Sequence, residues 1–174
     1  MKYLLAGCGT NRDKRVQCPE SPCLTFNGEL VTWDVDPDTG ADVIHDMEVL
    51  PYPFADNEFD EIHAYECLEH CGTQGDAKFF FGQFAEFYRI MKPGGLMALS
   101  VPMWNHYIAF SVPDHKRILP APIFGFLDKD YYKNVGKPGY GDYRKLLGST
   151  DFKPVGVQET TESGSVYVLM RANK

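Results

Sequence analysis

No apolar run in the 174 residues approaches the ~20 needed to cross a bilayer; the longest candidates, such as Leu96 to Val101, are strand-sized. The N-terminus, Met1-Lys2-Tyr3-Leu4-Leu5-Ala6-Gly7, has one positive charge and an apolar stretch too short for a secretory signal. Tightly spaced cysteine pairs are also lacking. The five cysteines (Cys8, Cys18, Cys23, Cys67, Cys71) are odd in number, so reduced thiols are expected rather than a disulfide framework. Neither Cys67-Leu-Glu-His70-Cys71 nor Cys18-Pro-Glu-Ser-Pro-Cys23 has the paired spacing of structural zinc, and no metal is expected. Membrane, secreted and disordered classes fall away, leaving a cytoplasmic domain as the expectation.

Positive charge is missing from a long central stretch. Between Arg15 and Lys78 there is no Lys or Arg, whereas fifteen of the twenty-four Asp and Glu lie there. The net charge of −7 argues against a protein built to grip phosphate backbones. It tilts the expected partner toward a small molecule or a protein, while ten Lys and Arg against seven Asp and Glu after Ser100 leave a basic balance in the C-terminal half. An acidic segment of this kind is usually a solvated face; in a pocket it would favour a cationic ligand.

What is present is ordinary globular composition, 44% hydrophobic and 24% charged. A chain of this length buries roughly 70% of its unfolded surface, enough for one core. A single domain over residues 1–174 is expected, with an aromatic, Pro-rich, aperiodic insertion at about 103–140. Lys2 to Ala6 reads as a buried strand entering a tight Gly7-Cys8-Gly9 turn. Further strands are expected at Leu30–Trp33, Asp42–Asp46, Phe59–Tyr65 and Leu96–Val101. The helix Lys78–Met91 is marked by Phe80, Phe84, Phe87 and Met91 on one face and stopped by Lys92-Pro93-Gly94-Gly95. A brief helix over Asp142–Gly148 and a hairpin of Phe152–Thr160 with Ser165–Arg171 close the chain. Alternation of this kind gives an open α/β sheet, mostly parallel, with one antiparallel member.

In such sheets ligands bind beyond the carboxyl ends of the strands, near the switch in strand order. Gly7-Cys8-Gly9, Asp34, Asp46 and Tyr65-Glu66 all fall at expected strand ends. Glycines let a ligand approach the backbone closely, and a carboxylate ending the second strand can hold a ribose diol. Each feature alone is often only a turn; their conjunction points to a nucleoside-bearing ligand. A pyrophosphate is disfavoured, because Arg12 stands where the third glycine of a dinucleotide fingerprint would be. No Gly-Lys-Ser or Gly-Lys-Thr phosphate loop occurs.

These segments resemble class I S-adenosylmethionine-dependent methyltransferases. Leu4-Leu5-Ala6-Gly7-Cys8-Gly9-Thr10 looks like their first motif, and His45 to Ile62 is similar to their "D…LPF.DN.FD.I" segment. Cys67-Leu68-Glu69-His70 matches "vLEH", Glu86 to Gly95 matches "E..R.LKPGG", and Pro113-Asp114-His115-Lys116-Arg117 echoes "DP.H.R". The resemblance implies a Rossmann-like, three-layer α/β/α fold, here with the first helix shortened or replaced by the Pro-containing stretch to Gly28, and S-adenosylmethionine as cofactor with S-adenosylhomocysteine as product. It implies that Ala6, Gly7, Cys8 and Gly9 line the methionine and ribose. Asp34 would take the ribose hydroxyls, Val35 would pack on the adenine, Asp46 and Met47 would meet its edge, and Tyr65 would lend backbone near the methionine amine. The sequence departs from the pattern at Leu5, where an acidic residue or Asn is usual, and at Asn11, often a third glycine.

Methyl transfer needs mainly proximity and alignment, plus a base where the nucleophile starts protonated. His70 is the candidate base, and Glu69, Trp104, His106, Tyr107 and His115 are the candidate substrate contacts. Phe79-Phe80-Phe81 reads as core or interface, and His63, inside a strand, as a structural histidine. Two other readings remain: a methyltransferase-like binding module without turnover, and an NAD-type oxidoreductase.

Overall fold

The computed structural model describes residues 1–20 and 22–174. Seven strands form one sheet: β1 (Lys2–Ala6), β2 (Glu29–Asp34), β3 (Val43–Ile44), β4 (Phe59–Tyr65), β5 (Met91–Pro102), β6 (Phe152–Thr160) and β7 (Ser165–Ala172). Their order is β3-β2-β1-β4-β5-β7-β6. β1 pairs in parallel with both β2 and β4, and β5 is parallel to β4; β7 runs antiparallel between β5 and β6. The order therefore reverses at β1 and β4, and the crevice beyond their carboxyl ends is where a ligand site is expected in such a sheet.

Strand alternation divides the core between two faces. Leu4, Ala6, Trp33, Ile62, Ala64, Met97, Leu99 and Val101 point to one side, under the helix α1 (Ala77–Ile90). Asp76 caps α1 by accepting from the Phe79 N–H at 3.0 Å, and Phe80, Phe84 and Phe87 are buried in that core. Truncating Phe84 or Phe87, both fully buried, to Ala should cost about 3–5 kcal/mol. The segment after β5 adds Leu119, Phe124, Leu127 and Tyr132 to the same core through short 3-10 turns at Ala121–Leu127 and Lys129–Asn134. It also holds the short helix α2 (Ile108–Ser111), and α3 (Arg144–Leu147) precedes β6. Helix α1 passes directly into β5 at Met91, which pairs with Phe59; the Lys92-Pro93-Gly94-Gly95 breaker lies inside the strand, where the register shifts.

The other face differs from a full α/β/α sandwich. Residues 10–28 form no helix among those described, so the first helix is absent rather than shortened, and irregular chain covers this side. Val16, Cys18 and Phe26 lie on the sheet, but without helical spacing, and Pro19 and Pro22 interrupt the stretch. Lys14 pins it down. Its ammonium reaches Glu61 Oε2 at 3.2 Å with both side chains buried. His63 sits between Glu61 (3.0 Å) and the Tyr65 hydroxyl (2.7 Å), a fully buried, hydrogen-bonded histidine.

Candidate functional site

Gly7 and Gly9 have φ of +61° and +53°, a conformation that carries a penalty for any other residue. They differ in surroundings. A Cβ at Gly7 would lie 2.4 Å from the Cys67 Cβ, whereas one at Gly9 would meet nothing within 4 Å. Gly7 is thus required by packing against the end of β4, and Gly9 faces open space. The Gly9 N–H donates to Asp34 Oδ2 at 2.7 Å, and the Asp36 N–H donates to Oδ1 at 3.0 Å. Asp34 is buried, and its carboxylate locks the glycine turn to the end of β2. Each of its oxygens keeps a further lone pair.

Around this turn lie the other strand ends. Val35 is exposed. Asp46 is exposed and accepts from the Glu48 N–H at 2.8 Å, while Met47 is buried, its methyl facing Gly7. The Tyr65 side chain points to the loop-covered face, accepting from the Arg15 N–H at 3.3 Å. Only its backbone stands at the crevice side. Glu66 has a φ of +50°, and its Oε1 is buried without a hydrogen-bond partner. Arg12 spans the crevice's rim, donating to the Gly9 carbonyl at 2.7 Å and the Thr39 carbonyl at 3.0 Å.

The candidates on the acceptor side divide into two groups. A 3-10 turn at Leu68–His70 presents Glu69 and His70 after β4. The backbone N–H groups of Lys116 and Arg117 donate to the Glu69 carbonyl at 2.9 and 3.2 Å, which brings His115 beside them. The His70 and His115 rings lie 4.8 Å apart, edge to face. Glu69 is buried with neither carboxylate oxygen hydrogen-bonded, and burial pushes its carboxyl up to about 8. Trp104 and Tyr107 are 59% and 72% exposed. His106 packs on Tyr107, with its ring against Gly164 of the β6–β7 turn.

A cleft of about 200 Å³ lies elsewhere, under the helix face between Thr73, Phe80, Arg117, Leu119 and Tyr143. It shares no lining residue with the glycine turn or Asp34. Arg12 and Cys67 were not legible as site residues, whereas Glu66 stood at an expected strand end. The Arg12 and Cys67 contacts are long-range, and a positive φ at Glu66 has no sequence signature.

Residues 24–99 match a family model described as a methyltransferase domain, a span that begins after the glycine turn. No curated protein matches the sequence. Among solved structures, a chain of the Haloferax volcanii Trm112 methyltransferase activator complex superposes with a TM-score of 0.59 at 11% identity, covering 99% of this chain and 83% of that one. A SAM-dependent methyltransferase from Archaeoglobus fulgidus gives 0.59 at 14% identity, with 98% and 85% covered. A Burkholderia thailandensis 1,6-didemethyltoxoflavin-N1-methyltransferase with bound S-adenosylhomocysteine gives 0.56 at 17%, with 99% and 71% covered. Identities this low show a shared fold.

Proposed function

We propose, from the premise that this chain is of the class I S-adenosylmethionine-dependent methyltransferase family, that it binds S-adenosylmethionine at the β1/β4 crevice and methylates a small-molecule or protein acceptor. The observation that carries the reading is the Gly7–Gly9 turn, held open at Gly9 and tied to the buried Asp34 at 2.7 Å. The residues fit such a group. A cationic nucleoside can lie against bare backbone at Gly9, and the orphaned Glu66 Oε1 suits a buried ammonium.

Bound, the cofactor supplies a methyl group on a sulfonium. The chain does the rest. Ala6, Gly7, Cys8 and Gly9 line one wall with backbone. Asp34 would take the ribose hydroxyls with its remaining lone pairs, Val35 would offer apolar surface to the adenine, and Asp46 and Met47 would meet its edge. The Tyr65 backbone and Glu66 stand toward the methionine amine. Transfer is then a matter of alignment, worth up to ~7–11 kcal/mol. Where the acceptor's nucleophile is protonated, His70 is the candidate base.

Calorimetric titration with S-adenosylmethionine, S-adenosylhomocysteine and NAD tests the reading. Binding of the first two and not the third is expected; failure of both to bind refutes it. Methyl transfer in an acceptor screen then separates an enzyme from a silent module. The Arg12 side chain laid across the rim is the observation that favours the silent module.

A further inference from the structure

Glu69, His70 and His115 converge in a way the crevice chemistry does not require. Both imidazoles turn Nε2 toward one carboxylate oxygen: His70 Nε2 lies 3.9 Å and His115 Nε2 4.0 Å from Glu69 Oε1. These distances are too long for hydrogen bonds. Both Nδ1 atoms face acceptors behind them. His70 Nδ1 is 3.1 Å from Asp114 Oδ2, off the line of a good hydrogen bond, and His115 Nδ1 is 3.4 Å from the Ala109 carbonyl. Outer acceptors on Nδ1 with Nε2 directed inward are how metal-binding histidines are oriented.

The carboxylate at the centre is unanswered. Glu69 is 2% exposed and neither of its oxygens has a hydrogen-bond partner. Nearby cations are engaged elsewhere. The Arg117 guanidinium is held by the Leu68 carbonyl and Gln83 Oε1, and Lys116 pairs with Glu48. A buried polar group without hydrogen-bond partners is costly. A divalent cation would answer it, and one ligand atom from each of the three residues lies within 4.8 Å of the others.

We propose that Glu69, His70 and His115 form a divalent transition-metal site, with zinc the cation their donors suit best. Two imidazoles and one carboxylate are a borderline-soft set with room left for an exchangeable ligand. Zinc at about 2.0–2.1 Å from each donor sets tetrahedral donors about 3.4 Å apart, so the two imidazole–carboxylate spacings of 3.9 and 4.0 Å close with shifts of about half an ångström. A second cluster, Cys18, Glu61 and His63, is excluded from the proposal because the Lys14 ammonium already lies on Glu61. The expectation of no metal was drawn from cysteine spacing; here the donors come from two segments that only the fold unites.

Zinc titrated calorimetrically into the chelator-treated full chain, without S-adenosylmethionine, tests the site independently of the proposed methyl transfer. One equivalent is expected, with an X-ray absorption first shell of nitrogen and oxygen. His115→Ala and Glu69→Gln should weaken binding about 100-fold or more. Asp114→Asn, at a largely exposed side chain that leaves folding intact, should weaken it about 10–100-fold through His70. Absence of stoichiometric binding, a sulfur-containing first shell, or unchanged affinity in Asp114→Asn and in a folded His115→Ala overturns the proposal.

Discussion

Replacing Gly7 or Gly9 by Ala adds the same methyl group two residues apart, yet the outcomes should diverge. Both positions have positive φ, so each substitution carries the left-handed penalty of about 1–2 kcal/mol. At Gly9 that is the whole cost, because the new Cβ meets nothing within 4 Å. At Gly7 the methyl falls 2.4 Å from the Cys67 Cβ and 2.8 Å from its Sγ, atoms fixed at the end of β4. Overpacking of this kind adds about 1–3 kcal/mol. The sum is about 2–5 kcal/mol for Gly7→Ala against about 1–2 for Gly9→Ala. Urea denaturation and thermal unfolding measure both, at about 2–4 °C of Tm per kcal/mol for a chain of this size. Cofactor affinity should rank the opposite way, since only the Gly9 methyl projects into open crevice. Adding Cys67→Gly should recover part of the Gly7→Ala loss, a coupling expected only for touching residues. Equal destabilisation by the two alanines, or no coupling to Cys67, would refute the packing argument.

Asp34→Ala should weaken S-adenosylhomocysteine binding about 10- to 150-fold, equivalent to about 1.5–3 kcal/mol for hydrogen bonds to a charged group; an unchanged Kd removes the ribose assignment. His63 should contribute a loss of stability as the pH drops below the ordinary histidine value of 6.5, opposed by Glu69, whose raised carboxyl takes up its proton first in the folded chain. Burial, opposed by Glu61, holds His63 below that value, so the unfolded chain binds the proton first. Glu61 adds a second loss below 4.5: burial raises its carboxyl, but His63 and Lys14 outweigh that and lower it. Relative to the parent chain, His63→Gln should therefore lose less stability, or gain more, on acidification between these two values, as followed by urea midpoints. Lys14→Met, which strands the buried Glu61 carboxylate, should cost about 3–5 kcal/mol in the same assay. In the native protein iodoacetamide should modify half-buried Cys23 first, as read by mass spectrometry. Burial raises the Cys18 thiol to about 12 and the Cys71 thiol to about 11, so both should resist.

Local physics was legible along the chain because it depends on neighbours in sequence. The Phe80–Phe84–Phe87 stripe, the terminal hairpin and the strand ends at Gly7, Asp34 and Asp46 all follow from periodicity and turn chemistry. Contacts between distant segments were not legible. Lys14 on Glu61, Arg12 across the crevice, Cys67 under Gly7 and His115 beside Glu69 each join residues that no pattern along the chain relates. The missing first helix has a local cause instead, since Pro19 and Pro22 interrupt the stretch and its apolar residues lack helical spacing. Its place is taken by irregular chain whose side chains are anchored one by one on the sheet. The amino-acid order alone determined which strands form and which residues stand at their ends. Only the folded chain decided which of those residues meet, because burial and charge pairing act across space rather than along the backbone.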